Sequence, residues 1–304
     1  MGTNCHWSGR FHFSLSYSYS FDFDLMNFKN HQHMVSDPNR TPLIQKAIEK
    51  CVKPGMRVFD LGCGTGILTL TALKKGATVY ACEVDPKALS FAKKNIAKAG
   101  FSDRIVFFDQ LSSHIQLPEK VDVILCELIG SLAFNENILP FINDARTRFL
   151  KTGGIIIPQS ISLYVAPLHL EIEKISQKKK SFHQFPFMIT KIKPKSLLSK
   201  EINLIDVDFL KSDFAGIDCE QKFTISKKNI LTGFGGWIKV TWRDGFVTNT
   251  APTSPLTHWK QAYLPLAQSQ NINPGDQILF RLRIGPRQDD SEFTLEPIIE
   301  WGYK

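Results

Sequence analysis

Between residues 40 and 158 the chain alternates short β-rich runs with helix-patterned stretches, and this rhythm limits its fold more than any other feature. The β-rich runs fall at 56–61, 78–83, 104–108, 121–127 and 154–157, and the helical stretches at 66–75, 86–99 and 136–150. Such alternation implies a parallel sheet with helices on both faces. Runs such as Val123-Ile124-Leu125 are apolar throughout, as strands covered on both sides must be. After Pro158 the texture changes. Strand-like runs at 160–166, 221–225, 237–242, 277–284 and 292–301 follow one another with turn residues between them, which reads as an all-β sandwich or barrel. The expected fold is therefore α/β: a parallel-sheet domain at 41–158, then a β-barrel or sandwich at 159–304. A Lys-rich arm or loop is expected at 168–200. The segment 1–40, with its alternation of Ser and aromatics, is expected to be a disordered tail or a lid over a ligand.

Composition narrows the class. The 304 residues are 43% hydrophobic and 22% charged, ordinary for a soluble globular protein. The six cysteines show no paired spacing, so neither a disulfide frame nor a metal site is expected, and buried thiols in a reducing compartment are. That compartment would be the cytoplasm, or the nucleus in a eukaryote. No apolar run reaches membrane-spanning length. The net charge of +8 favours anionic partners only as a diffuse effect, and nucleic acid is not the expected partner.

The first strand runs into Asp60-Leu61-Gly62-Cys63-Gly64-Thr65-Gly66 and then a helix. Gly62, Gly64 and Gly66 allow a tight turn and close approach of a ligand, and the helix start offers free N–H groups. The spacing is not G-x-G-x-x-G, and Asp60 directly before the turn would repel a pyrophosphate yet could hold an amine. Glu83 ends the second strand, where an acid accepts hydrogen bonds from ribose hydroxyls. The pair suits S-adenosylmethionine. At the end of the fourth strand, Glu127 and Glu136 stand nine residues apart around Gly130. Two convergent carboxylates suit the planar fork of a guanidinium. The residues alone equally allow solvation of Glu127 and capping of the next helix by Glu136.

The order Asp60 to Gly66, Glu83, the Glu127…Glu136 loop and Thr257-His258-Trp259-Lys260-Gln261 resembles the protein arginine methyltransferases. The likeness begins upstream at Met34, Asp37 and Arg40 and continues to Glu292-Phe293-Thr294-Leu295, covering about residues 21–304. It implies a Rossmann-like methyltransferase domain followed by a barrel, and a methyl transfer from S-adenosylmethionine to an arginine side chain of a protein. By the same resemblance Arg40 would pair with the cofactor carboxylate, and Glu127 and Glu136 would clamp the guanidino group. Met34 would pack beside the reacting nitrogen. His258 would reach Asp37 and relay a proton, and Trp259 would floor the substrate groove. A homodimer is the expected assembly. Free arginine or another small guanidino or amino metabolite is the alternative substrate, and a non-catalytic cofactor-binding scaffold the alternative class. Two departures stand out: Leu25 and Phe28 replace the family's lid tyrosines, and Ser112-Ser113-His114 occupy the segment where it places an adenine-binding Glu.

Overall fold

The computed structural model describes residues 34–171, 187–286 and 298–303, and the backbone of 12–13 and 17–18. In chain order the elements are β1 (His12–Phe13), β2 (Tyr17–Ser18), α1 (Thr41–Cys51), β3 (Arg57–Leu61), α2 (Ile67–Lys74), β4 (Thr78–Cys82), α3 (Pro86–Lys98), β5 (Ile105–Phe108), β6 (Val121–Cys126), α4 (Ile138–Phe149) and β7 (Leu150–Ile157). They continue as β8 (Ser160–Leu168), β9 (Met188–Thr190), β10 (Ile202–Asp208), β11 (Ile217–Thr224), β12 (Asn229–Arg243), β13 (Phe246–Asn249), β14 (Gln261–Ile272), β15 (Gln277–Gly285) and β16 (Ile298–Tyr303).

The alternating half folds into one parallel sheet of order β5-β4-β3-β6-β7. Strand order reverses between β3 and β6, so their carboxyl ends flank a crevice, the place where open α/β sheets bind ligands. Val123, Ile124 and Leu125 of β6 are fully buried, as a strand covered on both faces requires. Local chemistry sets the helices. Asp85 caps α3 by accepting from the Lys87 N–H at 2.9 Å, Pro86 sits in its first turn, and Ala88, Leu89, Ala92 and Ile96 form its buried stripe. The helix α1, which the periodicity did not reveal, buries Ile44, Ala47 and Ile48. The helix α4 begins at Ile138 rather than at 136, leaving Glu136 in the loop before it.

Two antiparallel sheets make the second half. One runs β10-β8-β12-β14-β9 with β13 on β12, and the other β1-β16-β15-β11 with β2 on β16. Phe234 of β12 meets Phe280 of β15 with ring centroids 4.5 Å apart, and Phe223 and Tyr303 lie around them. These rings fill the space between the sheets, burying large apolar area at the centre.

Three expectations need correction. β12 is fifteen residues long where six were expected, because its glycines broke the strand pattern. β9 pairs with β14 and Leu168 bridges Leu197, so both ends of the expected 168–200 arm belong to the sheet. Residues 172–186, with the Lys178–Lys180 cluster, lie outside the described residues, as do Leu25, Phe28 and 292–295. Finally, β1 and β2 pair with β16, so those four residues are strand rather than disordered tail, and the rest of 1–33 lies outside the described residues. Among the described residues no helix is long and apolar enough to cross a membrane.

Candidate active site

The glycine turn lies at the carboxyl end of β3. Gly62, Gly64 and Gly66 have φ of 75°, 54° and 82°, conformations that L side chains rarely adopt. One Glu83 oxygen faces this turn, accepting from the Gly64 N–H at 2.8 Å, and the other accepts from the Asp85 N–H at 2.9 Å, before α3. Asp60 is fully buried and accepts from the Thr69 hydroxyl at 2.5 Å. Burial lifts its carboxyl to about 7, a rise the Thr69 hydrogen bond opposes. A buried acid of this kind gains most from an arriving cation.

Glu127 and Glu136 close the crevice on the β6 side. The loop between them is a tight hairpin: the Ala133 N–H donates to the Gly130 carbonyl at 2.9 Å, and Ala133 has φ of 63°. The Asn135 amide fills the middle of the loop and accepts from the Leu132 N–H at 2.8 Å. It occupies the space a Gly130 side chain would need, which is why this position has none. Burial first, and the Glu127 charge second, push Glu136 up to about 8. Burial also raises Glu127, against the pull of Arg40.

Arg40 pairs with Glu127, donates to the Met34 carbonyl at 3.1 Å, and lies over the Trp259 ring, 5.4 Å from its centroid. Its Nε is buried without an acceptor. The guanidinium is therefore one acceptor short. Met34 thus contributes its carbonyl to holding Arg40.

The barrel completes the site through the loop before β14. The His258 N–H and Nδ1 reach Asp37 Oδ2 at 2.7 and 3.0 Å. Burial first, then the Arg40 charge, lower the imidazole to about 4, so it is neutral at pH 7 with Nδ1–H toward Asp37. Asn39 donates to the Leu256 carbonyl at 2.9 Å, fastening the same segment to the barrel. Trp259 is 4% exposed, so it is less an open floor than a strut: its Nε1–H donates to the Ile129 carbonyl at 2.6 Å, and its own carbonyl accepts from Ser131 Oγ at 2.8 Å.

The structure brings the expected residues together in two linked groups: Asp60, the glycine turn and Glu83 at the ends of β3 and β4, and Met34, Asp37, Arg40, Glu127, His258 and Trp259 through hydrogen bonds, ion pairs and ring contacts, with Glu136 close enough to feel the Glu127 charge. The sequence reading missed Thr69, Asn135 and Ser131. Thr69 left a signal, a hydroxyl in the otherwise apolar run Ile67-Leu68-Thr69-Leu70, since a buried hydroxyl needs a partner. Ser112 and Ser113 form a short turn after β5, and both hydroxyls are buried without a partner. Among the described residues no cluster of His, Cys, Asp and Glu could hold a metal ion, and the described cysteines are free thiols.

A buried acid on β3, an acid at the end of β4 and a buried guanidinium whose Nε has no acceptor stand together as the polar groups of this half. A doubly wound sheet carrying that set at its switch point defines a class I methyltransferase. The model of the family "Ribosomal protein L11 methyltransferase (PrmA)" matches residues 39–162, and that of the "Arginine methyltransferase oligomerization subdomain" matches 169–301. Protein arginine N-methyltransferase 6 of Xenopus laevis is 28% identical over 288 residues, 84% of this chain and 83% of that protein. The arginine N(omega)-methyltransferase of Streptomyces achromogenes subsp. streptozoticus is 25% identical over 83% of this chain and 75% of its own length. In fold, the chain is similar to the Trypanosoma brucei PRMT1 enzyme–prozyme heterotetrameric complex with AdoHcy, with a TM-score of 0.77 and 21% identity over 91% of this chain and 93% of that one. Over both halves, then, the chain is similar to protein arginine methyltransferases, its second half matching their oligomerization subdomain.

Proposed function

We propose that this chain transfers a methyl group from S-adenosylmethionine to a guanidino nitrogen of arginine in a protein. The observation that carries this reading is a pair of half-buried acids, Glu136 raised by the charge of Glu127 and Glu127 itself paired with a guanidinium, that of Arg40. The names of the relatives support it.

Asp60, Glu83 and Arg40 would hold the amine, ribose and carboxylate of the cofactor, which when bound supplies an electrophilic sulfonium methyl. Glu127 and Glu136 would neutralise the substrate guanidinium and fix its plane, so that one nitrogen faces the methyl. A guanidinium is a poor nucleophile, and positioning and charge neutralisation are what such a site can contribute. Methylation leaves one proton to be lost. Glu136, once the guanidinium has displaced its proton, is a carboxylate that can receive it, whereas His258 at about 4 is a weak acceptor. His258 therefore acts through its bonds to Asp37, holding segment 34–40 and Arg40 in place, rather than as the principal relay. Met34 would pack beside the reacting nitrogen. The family model over 169–301 supports association of two copies.

The test is incubation with methyl-labelled S-adenosylmethionine and, in parallel, an arginine-rich protein or free arginine, with mass spectrometry locating the label. Label on guanidino nitrogens of the protein is expected. Label on free arginine alone moves the assignment to the small-metabolite class, and no label on either leaves a cofactor-binding scaffold.

A further inference from the structure

We propose that Gly236 is a positioning residue for the two-carboxylate loop. The side chain missing from β12 is the socket in which Leu132 seats that loop against the barrel. The inference rests on the functional reading above.

Gly236 lies inside β12, paired with Val165 of β8 on one side and Ala262 of β14 on the other. Its φ is not in the left-handed region, so the backbone does not demand glycine there. A glycine inside a strand loses side-chain packing and weakens the strand, and one reason to keep it is close approach by something else. At Gly236 that something is specific. An added Cβ would stand 2.6 Å from Leu132 Cδ2, while its next neighbours, Ala262 Cβ and Val165 Cγ2, are both at 3.8 Å. The strands would accept the methyl and the loop would not. Leu132 is fully buried, so its methyl has no solvent to swing into.

The other strand glycines nearby differ. Gly233 is crowded by Tyr263 and Gly235 by Leu168 and Ile192, all within the barrel. Gly236 instead meets the tip of the hairpin that carries Glu127 and Glu136. That hairpin has two more ties to the barrel, the Trp259 indole N–H to Ile129 and the Ser131 hydroxyl to the Trp259 carbonyl. Both hydrogen bonds lie on the Trp259 side and leave the loop free to pivot about them. Leu132 in its socket sets the depth, and with it the point at which the two acids converge. The size of residues 132 and 236 together, rather than either alone, then determines the loop's position.

The test is a size-swap cycle in the full chain: Gly236→Ala, Leu132→Ala and the double variant. Each is measured for kcat and KM with an arginine peptide and for S-adenosylhomocysteine affinity by calorimetry. Gly236→Ala should lose about 10- to 100-fold in kcat, the effect of a misplacement on the order of 1 Å, with cofactor affinity unchanged. Leu132→Ala should also slow turnover, and the double variant should regain most of the loss. Wild-type kcat in Gly236→Ala, or a double variant no faster than either single one, overturns the proposal. Should Gly236→Ala fail to fold, the double variant must still fold and turn over faster than Leu132→Ala, and an equal or slower rate refutes it. A wild-type chain that methylates no arginine peptide rejects the functional reading instead. The same cycle read as melting temperature still reports the joint: a double variant no more stable than Gly236→Ala refutes it.

Discussion

Replacing Thr69 by Val keeps the shape of α2 and removes one hydroxyl, the donor to Asp60 at 2.5 Å. The site is fully buried, so no water takes the place of that donor. A hydrogen bond to a charged group contributes about 1.5–3 kcal/mol. If ionised Asp60 receives the cofactor's amine, losing that support weakens affinity by about 10- to 100-fold, at about 1.4 kcal/mol per decade. The effect is pH-dependent. Burial holds the Asp60 carboxyl at about 7 and Thr69 opposes the rise, so Val lifts it further and more of the acid is protonated at pH 7. Calorimetry with S-adenosylhomocysteine at pH 7 and pH 9 should show a large deficit at the lower pH and a smaller one at the higher. Thr69→Ser should bind close to wild type. Wild-type affinity of Thr69→Val at pH 7 would refute the assignment of Asp60 to the amine.

Three further outcomes follow from the geometry. Gly130→Ala displaces the Asn135 amide and leaves the buried Leu132 N–H without its acceptor, a local cost of about 1–3 kcal/mol for the lost partner alone. Turnover should fall at least about tenfold with cofactor affinity intact, since a small misplacement suffices; steady-state kinetics beside calorimetry checks both. Arginine peptide binding at pH 7 should release about one proton, because Glu136 is largely protonated until a guanidinium arrives. Calorimetry in buffers of different ionisation enthalpy measures this, and the release should fade above pH 9. Finally, the folded-state values of Asp60 and Glu136 lie above their ordinary 3.8 and 4.5, so their stabilisation is full at low pH and lost as pH rises through about 7 and 8. His258, lowered to about 4 from 6.5, acts only on the acid side. The melting temperature of the cofactor-free chain should therefore drop between pH 6 and 9, and a flat profile contradicts the two buried acids.

The parallel sheet was legible because its signals are local: a glycine turn after an apolar run, a proline and an aspartate opening α3. The barrel was only partly so. Gly233, Gly235 and Gly236 make β12 look like a turn, and their reason, close approach by Tyr263, Leu168 and Leu132, exists only in three dimensions. β14 was missed for a related reason, since its second half, 267–271, is exposed and polar and carries no apolar alternation. In the site, charged residues at strand ends were readable from spacing. The fastenings were not. Asn135, Ser131 and the indole of Trp259 act across separations such as the 128 residues between Ser131 and Trp259, and no sequence period encodes them. The pairing of Arg40 with Glu127 was equally out of reach, because Arg40 was expected to face the cofactor alone.

In the proposed reaction Glu127 and Glu136 together hold an arginine guanidinium beside the bound cofactor. Glu127→Gln and Glu136→Gln, each neutral and nearly isosteric, test it in a single-turnover methylation assay with labelled cofactor. Both variants should lose methyl transfer while largely retaining S-adenosylhomocysteine affinity. Turnover near the wild-type rate in either variant contradicts it.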